Sequence, residues 1–191
     1  MNDEIEIFLN SDDEEQTKQV YAFFGLAVYF AQVLEQHAIN MIALKRMLVE
    51  KITKPQEVDE LWNKYEGGKK TFGALITEIN KLYDLTDKDK EKLNTFRDKR
   101  NFLTHDYFKF NVDIFYNEKG KLRMVQDFIR FREEAKEVDT MLTNYFDEYQ
   151  KMAGITEERL SLIMDELRKK SEELIVDESY DSYSKKRETH D

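Results

Sequence analysis

The chain has 191 residues, enough for one domain with a core of its own, and it contains no cysteine. This excludes a disulfide framework, thiolate metal ligands and a cysteine nucleophile, and it fits a reducing compartment, the cytoplasm. A formal net charge of −10 argues against a protein that coats nucleic acid nonspecifically, because such binding comes from neutralising phosphates; any such site must be a local basic patch.

Six glycines and one proline, with 37% charged residues, favour long helices. Residues 1–15 are crowded with Asp and Glu and read as a mobile acidic arm, with an arm docked over the basic patch as the alternative. A first helix follows from near Glu14 to Lys51. Its apolar residues run nearly all the way round between Val20 and Leu34, so part of it must face other helices or a second subunit. The stripe then narrows to Leu34, His37, Met41, Leu44 and Leu48, with His37 read as a hydrogen-bonded core residue rather than a catalytic one. The uncharged run Gln19 to Leu34 is shorter than the ~20 residues that span a bilayer. It also lacks the basic lead-in and cleavage site of a signal peptide, so a soluble chain is expected.

Pro55 marks the first turn of a short helix through Val58, Leu61, Trp62 and Tyr65, which Gly67 and Gly68 are expected to end. The next helix, from about Lys70 to Tyr83, buries Phe72, Leu75, Ile76 and Ile79, and Gly73 within it permits close helix approach. Thr86 and Asp89 have the spacing of a capping box. On the helix they open, Leu93, Phe96, Arg100, Leu103 and Tyr107 fall on one stripe. A guanidinium in an apolar stripe needs a partner or a cleft, since burying it unpaired is very costly.

After Phe110 the pattern alternates through Val112, Ile114 and Tyr116, then Leu122 and Met124. This predicts a short β-hairpin over 112–124 with Gly120 in a positive-φ turn. A long helix resumes from about Val125 to Met152, with Arg123, Arg130 and Arg132 as a basic rim. Gly154 caps it, and Thr156 opens an additional C-terminal helix within 154–176. A polar tail occupies 177–191.

Chemistry concentrates between Arg100 and Tyr107. On a helix Asn101 and His105 are one turn apart, with Arg100, Thr104 and Tyr107 on the adjacent stripe. Arg supplies a planar fork for phosphate oxygens, His moves a proton near neutral pH, and Asn orients either partner, a set that suits a phosphodiester. A capped, solvated helix end is the alternative reading. There is no phosphate loop, HExxH, serine elbow or zinc-ligand spacing, so no transition-metal centre or cofactor is expected, with Mg on scattered carboxylates left open.

Arg100, Asn101 and His105, extended by Tyr107, form an Arg-x4-His-x-Tyr motif. The motif resembles the signature of the HEPN superfamily, in the form found in HEPN toxins paired with a nucleotidyltransferase antitoxin. The resemblance covers about Thr17 to Ala153. It implies an all-α, antiparallel HEPN-like bundle over 16–153 that forms a homodimer with one composite cleft. It further implies a metal-independent endoribonuclease of toxin or defence type, which uses 2′-hydroxyl attack and leaves 2′,3′-cyclic phosphate ends. Arg100, Asn101 and His105 would be catalytic, with Arg97, Lys99, Thr104 and Lys109 on the RNA. Tyr107 would be either a packing residue or the place where a nucleotidyltransferase partner attaches AMP. Glu35 lies off the first helix's stripe, where a polar residue reaches the motif in many HEPN domains. The alternatives are a non-catalytic HEPN-like module that binds nucleotides or proteins, and a structural adaptor in which Arg100 pairs internally.

Overall fold

The computed structural model describes residues 3–65 and 70–174. Among these there are eight helices and no strand: α1 (Asp3–Leu9), α2 (Asp13–Glu50), α3 (Pro55–Asn63), α4 (Phe72–Leu82), α5 (Asp87–His105), α6 (Tyr107–Phe115), α7 (Glu118–Met152) and α8 (Glu157–Leu174). The protein is all-α. Gly67, Gly68 and the tail over 177–191 lie outside the described residues.

Local signals set most helix starts. Asp12 caps α2 by accepting the Glu15 N–H at 2.9 Å, Thr71 caps α4, and Thr86 caps α5. Half of the capping box forms: Thr86 Oγ1 accepts the Asp89 N–H at 3.2 Å, but Asp89 Oδ2 takes the Thr86 hydroxyl at 2.7 Å, and the Thr86 N–H donates instead to the Tyr145 hydroxyl at 3.2 Å. α2 ends at Lys51, whose φ of 55° places it in the left-handed region.

The chain divides into two compact units, residues 1–149 and 150–191. In the first, α2 packs against α4 and α5, and α4 against α5. Gly73 on α4 matters here, since a Cβ would come within 3.3 Å of Arg97 Cδ on α5. α7 joins through its own apolar stripe: Phe128 meets Phe24, Phe131 stacks on Phe96, and Phe146 lies against His37. Fully buried side chains such as Leu34, Ile76, Leu93 and Phe128 each contribute about 1.5–3 kcal/mol of apolar burial. In the second unit, α8 has no buried residue among those described, and Leu160, Ile163, Met164 and Leu167 lie exposed on it at helical spacing.

Two sequence expectations are overturned. The hairpin over 112–124 is replaced by the end of α6, a short turn and the start of α7. Asn117 is the start signal of α7: its side chain accepts the Gly120 N–H at 2.8 Å, and its carbonyl accepts the Lys121 N–H at 2.9 Å. Gly120 is helical. A Cβ there would lie 1.8 Å from the Ile114 carbonyl oxygen, so glycine is needed for close approach rather than for a turn. The acidic arm is docked on the bundle over 3–15. Phe8 on α1 is fully buried, and Glu4 accepts two hydrogen bonds of 2.8 Å from the Arg132 guanidinium. Gln16 holds the turn by donating to the Phe8 and Ser11 carbonyls, and the 2% exposed Lys121 ammonium pairs with Asp13 at 2.5 Å. Apolar burial and paired charge outweigh the repulsion read from composition.

Candidate active site

The last two turns of α5 carry the motif, and a one-residue break at Asp106 separates it from α6. Asp106 has φ −128° and ψ −16°. Its N–H still donates to the Phe102 carbonyl, and its own carbonyl accepts from Phe110. The backbone therefore leaves helical geometry for one residue while both hydrogen bonds are kept. Tyr107 remains on the buried side, while Asn101 and His105 are exposed on the outer face of α5.

Arg100 points towards α2, where its Nη2 pairs with Glu35 Oε1. The two side chains are only 21% and 24% exposed, so the pair is half-sheltered from water. Arg100 Nη1 also donates to Asn101 Oδ1 at 3.2 Å, whereas its Nε is buried with no hydrogen-bond partner. Burial pushes the Glu35 carboxyl above its usual range, and the facing Arg100 charge opposes that shift. The guanidinium in the apolar stripe thus has its partner, supplied by the first long helix from 65 positions away in sequence. Glu35, Arg100 and Asn101 form one linked polar group where α2 and α5 meet, and the exposed His105 follows one turn beyond Asn101 on α5.

The other expected site residues do not converge there. The Thr104 hydroxyl donates to the Arg100 carbonyl at 3.0 Å, within its own helix. Arg97 lies against α4, donating to Asp98 at 2.9 Å and Asn94 at 3.0 Å. Lys99 is on the opposite flank of α5, where its ammonium reaches both Glu134 oxygens at 2.8 and 2.7 Å. Lys109, on α6, is exposed and 3.7 Å from Asp106. Of the basic rim, Arg132 is taken up by Glu4, while Arg130 is exposed. His37 is held by Asp139, with Nδ1 to Oδ1 at 2.6 Å, which is a structural arrangement.

Tyr107 is 5% exposed, with its ring packed 4.7 Å from that of Phe128. Its hydroxyl donates to Asp127 Oδ2 at 2.9 Å, and burial together with that carboxylate raises its pKa far above the ordinary phenol value. Beside it, a groove of about 210 Å³ opens between α5 and α7, lined by Lys99, Phe102, Tyr107, Asp127, Arg130 and Phe131 among others. Sequence reading does not find this groove, because the pairing of Tyr107 with Asp127 joins two helices and leaves no spacing signal.

Among the described residues no group of three or more His, Asp or Glu side chains gathers in a way that would hold a metal ion. No helix among them is long and apolar enough to cross a membrane. Comparison of the chain with protein-family models, curated proteins and solved structures gives no match in any of the three.

Proposed function

We propose that this protein is a HEPN-type, metal-independent endoribonuclease, a toxin or defence effector, acting at the surface where α2 and α5 meet. The observation that carries the reading is the Arg100 guanidinium held in place by Glu35 and Asn101, with the exposed His105 one turn beyond Asn101 at the end of α5. A preorganised cation next to a proton-transferring imidazole is the minimum that phosphodiester transesterification needs. In that reaction a base removes the 2′-hydroxyl proton, the 2′ oxygen attacks phosphorus, and the bond to the 5′ oxygen breaks as that oxygen takes a proton. The products are a 2′,3′-cyclic phosphate and a free 5′-hydroxyl. His105 carries the proton, Arg100 stabilises the charge building on the phosphoryl oxygens, and Asn101 positions the phosphate or the ring.

Two proton carriers are required, and a homodimer supplies His105 from each copy, since residues near a twofold axis meet their own equivalents. In support, α2 has an uncharged exposed stripe, with Leu26, Tyr29 and Val33 exposed and Gly25 open to solvent, ending two residues before Glu35. A second copy on this stripe would bring the two motif surfaces towards each other.

The test is cleavage of RNA oligonucleotides with EDTA present, comparing the parent with Arg100→Ala and His105→Ala. Both variants are expected to lose at least about 100-fold in rate, the usual worth of one acid–base or charge-stabilising group. Cyclic-phosphate ends are expected from the parent. Equal cleavage by His105→Ala would end the mechanism.

One observation favours a second reading, a non-catalytic HEPN-like module that binds nucleotides or proteins. Arg97, Lys99, Arg100 and Lys109 each have an acidic neighbour in the single chain, so RNA would have to displace these pairs. A parent that binds partners but never cleaves would establish that reading instead.

A further inference from the structure

The groove beside the motif is not used by the chemistry above, and its lining is of a particular kind. Phe102 forms one wall, in the last turns of α5, and is 43% exposed, whereas its neighbour Leu103 is buried. Tyr107 stands edge-on to it, with ring centroids 5.9 Å apart, and Phe110 follows on the outside at 6.0 Å. Lys99 and the exposed Arg130 stand at the rim, and the Asp127 and Glu134 carboxylates face the same space. At about 210 Å³ the groove is below the range of drug-sized ligand sites and suits a single planar ring system.

The groove also has a fixed relation to the motif. Phe102 is the residue after Asn101, and successive helical residues are about 100° apart, so Phe102 lies between His105 and Lys99 on the outside of α5. A strand with one phosphate at Arg100 and His105 that crosses α5 therefore reaches the groove within roughly a helix diameter, ~10 Å, the scale of one or two nucleotides.

We propose that this groove receives one unpaired nucleobase of the RNA, stacked on Phe102, with the adjoining phosphates on Lys99 and Arg130. The inference rests on the ribonuclease reading and adds a base-specific subsite to it. Sequence-specific recognition of single-stranded RNA uses such splayed bases on aromatic faces flanked by cations. The polar groups inside the groove sharpen the choice of base. The Asp127 and Glu134 carboxylates offer acceptors only, in addition to those that Tyr107 and Lys99 already occupy, so the matching base edge is one with two neighbouring donors. Guanine has these in N1–H and the 2-amino group. Uracil has a single ring N–H, and adenine and cytosine each place an acceptor beside the amino group.

The test uses uncleavable 2′-O-methyl oligonucleotides, an oligouridine and the same strand with one central guanosine, read by fluorescence anisotropy. The parent is expected to prefer the guanosine strand by about 10-fold or more. Phe102→Ala should lose that preference and bind the guanosine strand about 10-fold more weakly, the scale of one lost base–aromatic stack. Phe102→Trp should keep it. Arg130→Ala should weaken both strands alike and lower the salt slope by about one. Phe102 is partly covered by Tyr107 and Phe110, so Phe102→Ala is expected to melt somewhat lower than the parent while staying folded at the assay temperature, and Phe102→Trp provides a second folded variant.

The failures are distinguishable. If the parent cleaves RNA in EDTA but Phe102→Ala binds both strands as the parent does, the subsite is wrong and the ribonuclease reading stands. If the parent neither binds nor cleaves RNA, both fall. If Phe102→Ala alters self-association on a sizing column and leaves oligonucleotide affinity unchanged, the groove is a protein contact and the subsite is overturned.

Discussion

At Gly120 the space for a side chain is taken by backbone. The Ile114 carbonyl carbon and oxygen would lie 2.6 and 1.8 Å from a Cβ there, and neither is the movable end of a side chain. Overpacking against flexible neighbours costs about 1–3 kcal/mol. Gly120→Ala should reach the top of that range or exceed it, and a urea titration that shows less than 1 kcal/mol of loss would mean the turn between α6 and α7 relaxes freely. Tyr107 poses a different question at the same scale. Attachment of AMP by a nucleotidyltransferase antitoxin, as the motif's resemblance implies, requires its hydroxyl to leave Asp127 and reach solvent. With such a partner and ATP, intact-mass measurement is expected to show one nucleotide adduct. It should be absent in Tyr107→Phe, and an unchanged parent mass removes this mode of control.

The motif helix owes its start to two residues and its end to one break. Thr86 and Asp89 satisfy each other's groups at the first turn of α5, and Tyr145 of α7 donates to Asp89 Oδ2 at 2.6 Å, which ties the cap to the bundle. Hydrogen bonds from Thr86 and Tyr145 hold the Asp89 carboxyl below its usual range. A folded pKa below the unfolded one means that the unfolded state takes up the proton first. The stability from Asp89 is therefore complete above the unfolded carboxylate value, about 3.9, and is lost as pH falls through the folded value. Melting temperatures measured from pH 7 to pH 2 should fall less steeply at the acid end in Asp89→Asn than in the parent. Parallel curves would show that the cap does not contribute in this way.

Across the first unit, the N-terminal segment works as part of the core. Phe8 is fully buried, Arg132 is closed off by Glu4, and Lys121 keeps its ammonium satisfied by Asp13 and Thr17. Phe8→Ala is expected to cost about 3–5 kcal/mol, measured by reversible urea unfolding, whereas a mobile arm would show no change. The dimer proposed for catalysis is an argument at this scale too. One copy has a single His105 at the end of α5, so in the proposed mechanism the second proton carrier would come from a second chain.

Sequence alone determined the features whose causes are local. Pro55 at a first turn, Thr86 with Asp89 and Gly154 at positive φ all lie where their spacing put them, because a cap is a contact within three or four residues. The all-α class and the presence of a charged residue in an apolar stripe were legible for the same reason. Tertiary structure decided the rest. The partner of Arg100 is Glu35, the partner of Tyr107 is Asp127, and Gly120 serves close packing rather than a turn. The alternation after Phe110 has two physical outcomes, a hairpin or a helix start, and the Asn117 cap with the Ile114 contact selects the helix. Likewise, net charge describes repulsion in an unfolded arm, but only the folded core supplies the pocket for Phe8 and the cations that hold the arm down.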